Sequence, residues 1–217
     1  MTEANFDEEV PFQDHPALAA AVICRTDEGN LHTGILHKSD VSPEVQVLHL
    51  GWQNYVSDAW EWCRLWAAPD EEPEVLRAVS GVCRLVWSTF QQTRKFPYGL
   101  GLDGVRFDGS GALILEGSAK GLTCATFVLA VFARVGIDLV DVATWPRRID
   151  EDLAWLDSLE VFLGPRQRPV LDRLREETKA GQIRIRPHEV VGACALDSPA
   201  PFEHAAAAGA VVLGRLA

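Results

Sequence analysis

The stretch Glu116–Gly136, EGSAKGLTCATFVLAVFARVG, places one cysteine at the start of an apolar helix. Gly117, Ser118, Gly121 and Thr123 are loop and cap residue types, Ala125 opens a continuous apolar run, and Gly136 is the residue type that closes helices. The segment therefore predicts a helix over 123–135 with Cys124 in its first turn. Unpaired backbone N–H groups and the positive end of the helix dipole favour a thiolate there, the form of cysteine that attacks a carbonyl carbon. A cysteine in such a run also serves as a small buried apolar side chain. The segment alone does not separate the two roles.

Upstream, LAAAVICR over 18–25 suits a buried strand, and the polar turn residues Thr26 to Asn30 lead into a returning strand, LHTGILH, over 31–37. Alternation puts His32, Gly34 and Leu36 on one face of that strand and Leu31, Thr33, Ile35 and His37 on the other. VQVLHL over 45–50 reads as a third strand, with His49 near its end. Helical spacing follows over 55–67 and 73–93, where Trp52, Trp60, Trp62, Trp66 and Trp87 read as packing anchors between helices. The Gly- and Asp-rich stretch from Phe96 to Gly111 contains no phosphate loop, since no Lys-Ser or Lys-Thr pair follows its glycines. ALILE over 112–116 reads as a short strand leading to the cysteine loop.

Downstream, IDLVDV over 137–142 is a short extended piece, and IDEDLAWLDSLEVFL and PVLDRLREETKAG read as two helices parted by Gly164-Pro165. IRIRPHEVVGACAL adds an edge strand, and HAAAAGAVVLGRL a last helix. Residues 1–16, with five acidic side chains and two prolines, read as a loose leader. The expected organisation is an α+β core over 17–145 with a helical insertion at 55–93, and a mostly helical extension over 146–217 packed on it.

The totals narrow the function classes. A chain of 217 residues builds one sizeable core. A formal charge of -11 argues against nucleic acid or an anionic membrane as the main partner and favours a basic or neutral substrate. The pairs Arg147-Arg148 and Arg184-Ile185-Arg186 read as solvated positive ends of elements. The five cysteines are widely spaced and form no CxxC pair, so neither a metal nor a cofactor is expected. No apolar run reaches the roughly 18 residues of a membrane span, and the acidic N-terminus lacks the order of a signal peptide. A reducing, cytoplasmic setting with free thiols is the expectation.

Thiol chemistry on a carbonyl needs a nucleophile, an imidazole within hydrogen-bond reach, and a polar group that fixes the imidazole's tautomer. Cys124 supplies the first, His32 on its strand the second, and His49 on the neighbouring strand the third. The oxyanion would meet the Cys124 backbone N–H, with Tyr98 and Thr123 as further candidates. His37 falls on the wrong strand face, and His15, His188 and His204 read as surface residues.

The order GNLHTGIL, VQVLHLG and GLTCATFV resembles the permuted papain-like hydrolases and transferases, which include lecithin-retinol acyltransferase-like enzymes and permuted relatives of NlpC-type peptidases. His32, Gly34 and Ile35 match that family's first strand, Val47, His49 and Leu50 its second, and Cys124, Phe127 and Val128 its helix. The likeness covers residues 18–50 and 112–136. It implies a small antiparallel sheet packed on the cysteine-bearing helix, and a hydrolase or acyltransferase working through a Cys-His acyl-enzyme on a peptide, amide or lipid ester. Thr123 stands where an Asn often precedes the cysteine, the loop between the histidine strands is longer than in the compact lipid-acting members, and no anchor is evident. These departures bear on the substrate rather than the chemistry. The alternative is an inactive papain-like module that binds partners through its Trp-rich middle and helical tail.

Overall fold

The apolar run before the first turn forms β1 (Ala19–Arg25), and all of it except Arg25 is buried. A strand covered on both faces needs no polar alternation, which is why LAAAVIC reads as an unbroken apolar run. β2 (Leu31–Ser39) returns beside it, followed by β3 (Ser42–Trp52), β4 (Tyr55–Ser57) and β5 (Leu65–Ala67). These five strands make one antiparallel sheet in the order β4-β3-β2-β1-β5. The computed structural model describes residues 11–27, 29–58 and 65–216. Trp60, Trp62 and Cys63 lie outside them, as does the first part of the leader.

The helix expected over 55–67 is not formed at either end: Tyr55–Ser57 folds back on β3, and Leu65–Ala67 pairs with Ile23, Val22 and Ala21 of β1. Pieces of three residues carry no periodicity of their own, so the pairing partner decides their conformation. α1 (Pro73–Thr93) then forms as its spacing predicts, burying Leu76, Val79, Cys83, Val86 and Phe90. β6 (Val105–Phe107) and β7 (Leu113–Leu115) make a small hairpin ahead of α2 (Cys124–Ala133). Gly136 takes φ +88°, the left-handed conformation that favours glycine, just past the end of α2.

The sheet separates two apolar cores. Ala19, Ala21, Ile23, Ile35, Leu48 and Leu50 face α2, whose Phe127, Val128, Val131 and Phe132 are fully buried. The opposite face, with Ala20, Val22, Leu36, Val47 and Trp66, is covered by Phe12, Ala17, Leu18 and Leu76. Phe12 belongs to a short 3-10 turn, and the buried ammonium of Lys38 donates to the carbonyls of Phe12, Gln13 and His15. The described part of the expected loose leader is therefore pinned to the sheet from Phe12 onward. Trp66 packs edge-on against Phe12 and His15, which makes His15 half-buried rather than a surface residue.

Four more helices complete the chain: α3 (Ile149–Phe162), α4 (Arg168–Lys179), α5 (Pro187–Cys194) and α6 (Phe202–Arg215). The edge strand expected near 183–196 is instead α5. Pro187 sits at its first position, and the Glu189 carboxylate accepts from the Arg186 amide, so the N-terminal signals outweigh the strand preference of Val190-Val191. His188, expected on a surface turn, is half-buried in the first turn of α5. The IDLVDV segment forms no strand, and only Val140 bridges to Ala200. Glu189, 1% exposed, accepts from the Arg148 guanidinium and from the Trp145 indole, and so ties the loop before α3 to α5. Burial alone would raise its carboxyl, but the Arg148 and Arg186 donors outweigh burial and hold it below the usual range. Among the described residues no helix is long and apolar enough to cross a membrane.

Candidate active site

β2 and β3 pair with Ile35 opposite Leu48, which puts Gly34 opposite His49 on the face that carries His32. A Cβ on Gly34 would sit 2.8 Å from the Cβ of His49 and 3.0 Å from the carbonyl oxygen of Leu48. Only glycine lets the Cβ of His49 stand that close. His32 Nε2 and His49 Nδ1 are 2.9 Å apart, with the ring planes crossed at 82°. The two histidines expected to meet across neighbouring strands are therefore hydrogen-bonded.

The pairing of β2 with β3 ends at Ile35 and Leu48, while along its other edge β3 pairs with β4. The N-terminus of α2 comes to this end of the pairing. Thr123 caps the helix: its hydroxyl accepts from the Thr126 amide, and the Thr126 hydroxyl accepts from the Thr123 amide at 2.8 Å. That engagement makes the Thr123 side chain the N-terminal cap of α2. Cys124 follows in the first helical position, 7% exposed, with the Thr33 backbone amide directed at its sulfur. Cys24, directly across β1 from His32, lies close enough for its thiol to feel charge on Cys124.

His32 and Cys124 open onto one cleft of about 280 Å³. Tyr98 lines it as well, tilted at 37° against Trp52 with ring centroids 4.3 Å apart, and its phenolic oxygen lies against the backbone amide of Cys124. That amide, expected to meet an oxyanion directly, is thus shared with a phenol. The far wall comes from α3, through Trp155, Leu159 and Phe162, and from Arg184 in the segment before α5. His37 stands on the opposite sheet face and is buried, as its parity requires, while His204 is exposed.

Burial controls the protonation of these groups. The thiol of Cys124 is pushed above its ordinary value by burial, against the pull of the Thr33 amide, the Arg184 guanidinium and the helix-start amides of Ala125 and Cys124. The thiolate expected at this helix start is therefore not the resting form, because desolvation outweighs the local donors. His32 is pushed down to about 3 by burial and then by His49. Burial, followed by the neighbouring Cys124, likewise raises Tyr98. At rest, burial therefore favours a neutral thiol on Cys124 and a neutral imidazole on His32.

Sequence reasoning missed the α3 wall, Arg184 and Cys24. Arg184 belongs to a basic cluster that reads as solvated from the sequence, and Trp52, which reads as a packing anchor, also faces the cleft. Among the described residues no group of His, Cys, Asp and Glu side chains could hold a metal ion. No protein-family model, no curated protein and no solved structure matches this chain.

Proposed function

We propose that the chain is a thiol-dependent hydrolase or acyltransferase with a permuted papain-like core, acting on an amide or ester. The observation that carries this reading is that His32, hydrogen-bonded to His49 at 2.9 Å, lines the same cleft as Cys124 at a helix start. His49 holds Nε2 of His32, so Nδ1 is the atom that takes the proton of Cys124. As the proton leaves, the sulfur forms a bond to the carbonyl carbon, and the Tyr98 hydroxyl donates to the oxyanion. Collapse breaks the bond to the amine or alcohol, which departs with the proton from His32. Water or a second acceptor then gives a proton to His32 and attacks the thioester, returning Cys124 as a thiol. Cys124→Ala and His32→Ala each abolish labelling by an electrophilic acyl probe or by iodoacetamide at that site. Labelling that persists in both variants refutes the dyad.

The raised Cys124 thiol favours a second reading, an inactive module of the same fold. If Cys124 reacts with iodoacetamide no faster than the buried Cys83, the module reading holds and the enzyme reading fails.

A further inference from the structure

In a chain of net charge -11, the cleft has the opposite local character. Among the described residues that line it, Arg184 is the only one with a formal charge. Its guanidinium is held rather than loose: it lies over the Trp155 ring at 3.6 Å from the centroid, and Nη1 donates to Asp152 Oδ1 at 3.2 Å. Asp152 is itself 2% exposed and serves as a fixed anchor. The remaining N–H groups of Arg184 meet no acceptor among the described residues, and they are not among the sealed arginine nitrogens, which belong to Arg148, Arg173 and Arg186. A planar fork pinned at one nitrogen, with donors left over in a cleft whose other lining side chains are uncharged, is built to take an anion.

The rest of the wall limits what that anion can be. Trp52, Trp155, Leu159, Phe162 and Leu163 supply a largely apolar surface, and the positive end of α2 adds to the potential near the thiol. Asp152 already offsets part of the charge on Arg184, which suits a monoanion better than a phosphate dianion that would call for several donors.

Resting on the assignment of Cys124 as nucleophile, we propose that Arg184 is the anion-recognition residue of the cleft and that the amide or ester cleaved there carries a carboxylate beside an apolar body. The expectation of a basic or neutral substrate, taken from overall charge, is reversed at the site itself.

The test compares alkylation of Cys124 by iodoacetate and by iodoacetamide in the full-length protein, each rate normalised to glutathione. The normalised preference for the anionic reagent is about tenfold in the native protein, is lost in Arg184→Gln and is partly kept in Arg184→Lys. A native ratio at or below one, or a ratio unchanged in an Arg184→Gln protein of native melting temperature, overturns the proposal. If neither reagent reaches Cys124 the nucleophile assignment fails, and a second measurement still judges Arg184. N-benzoylglycine then binds Cys124→Ala more tightly than N-benzoylglycinamide, a preference that the added Arg184→Gln removes. Equal binding of the two compounds, no binding of either, or equal competition by inorganic phosphate overturns carboxylate recognition.

Discussion

Gly34→Ala probes the link between strand packing and chemistry, because Gly34 lies outside the cleft lining yet sets where His49 stands. The added methyl meets His49 Cβ at 2.8 Å, Leu48 O at 3.0 Å and Val47 Cγ1 at 3.2 Å. Carbon atoms in contact prefer about 3.5–4.0 Å, so His49 Cβ must retreat by about 0.7 Å. Two of the three clashing atoms are a Cβ and a backbone oxygen, so no rotamer change relieves them and β3 itself must yield. Overpacking costs about 1–3 kcal/mol, and removing a strand glycine returns about 0.5–1 kcal/mol. The net cost is about 1 kcal/mol, a fall in Tm of about 2–4 °C for a chain of this size. The chemical cost is larger. If the displacement is taken up along the 2.9 Å His32–His49 bond, the separation reaches about 3.6 Å, beyond hydrogen-bonding range. Misplacement on that scale slows acyl-probe labelling of Cys124 by about a hundredfold. Thermal denaturation followed by circular dichroism reads the first effect, and labelling kinetics followed by intact mass read the second. Native labelling kinetics in a protein whose Tm falls as expected would refute the claim that His49 orients His32.

Three further outcomes follow from the same structure. Glu189→Ala strands the Arg148 guanidinium, 12% exposed, without its buried partner and costs about 3–5 kcal/mol in urea or thermal denaturation; a loss under about 1 kcal/mol contradicts the role given to that pair. Tyr98→Phe keeps the ring packed against Trp52 but removes the proposed oxyanion donor, lowering kcat for an ester substrate about a hundredfold with little change in KM; unchanged kcat removes Tyr98 from the mechanism. Burial holds His32 down to about 3 and His37 down to about 4, the latter also through Arg84. The unfolded chain therefore binds protons on both rings near pH 6.5 while the native chain does not, and stability falls as pH drops from 6.5 toward those values. Each ring accounts for roughly 2 kcal/mol of loss at pH 5, so His37→Leu has a visibly flatter stability profile between pH 7 and 5. An identical profile refutes the buried neutral state of His37.

The sheet centre and the histidine pair were legible because both rest on period-two alternation. His32 and Gly34 share a face by counting, and a β-branched run ending in His49 needs only an antiparallel neighbour to bring the rings together. α2 was legible because an apolar run, a Thr cap and a closing Gly agree. What stayed hidden depends on distant partners. β5 is a strand only because β1 offers an open edge, and α5 was obscured by two valines although Pro187 and Glu189 carried the helix signal. Arg184 reads as solvated until Trp155 and Asp152, some thirty residues earlier, are placed beside it. The raised thiol of Cys124 is hidden from the sequence for a related reason: helix position is local, whereas desolvation is set by everything packed around it.

The end of the β2–β3 pairing at Ile35 has a spectroscopic consequence. The Thr33 amide faces the Cys124 sulfur where a strand partner would otherwise stand, so it is coupled to the chemical state of a single atom. Its proton resonance and its exchange rate with deuterium should differ among thiol, thioester and alkylated forms. One backbone signal in the middle of a strand then serves as a built-in gauge of whether the cysteine is loaded, with no label added to the protein.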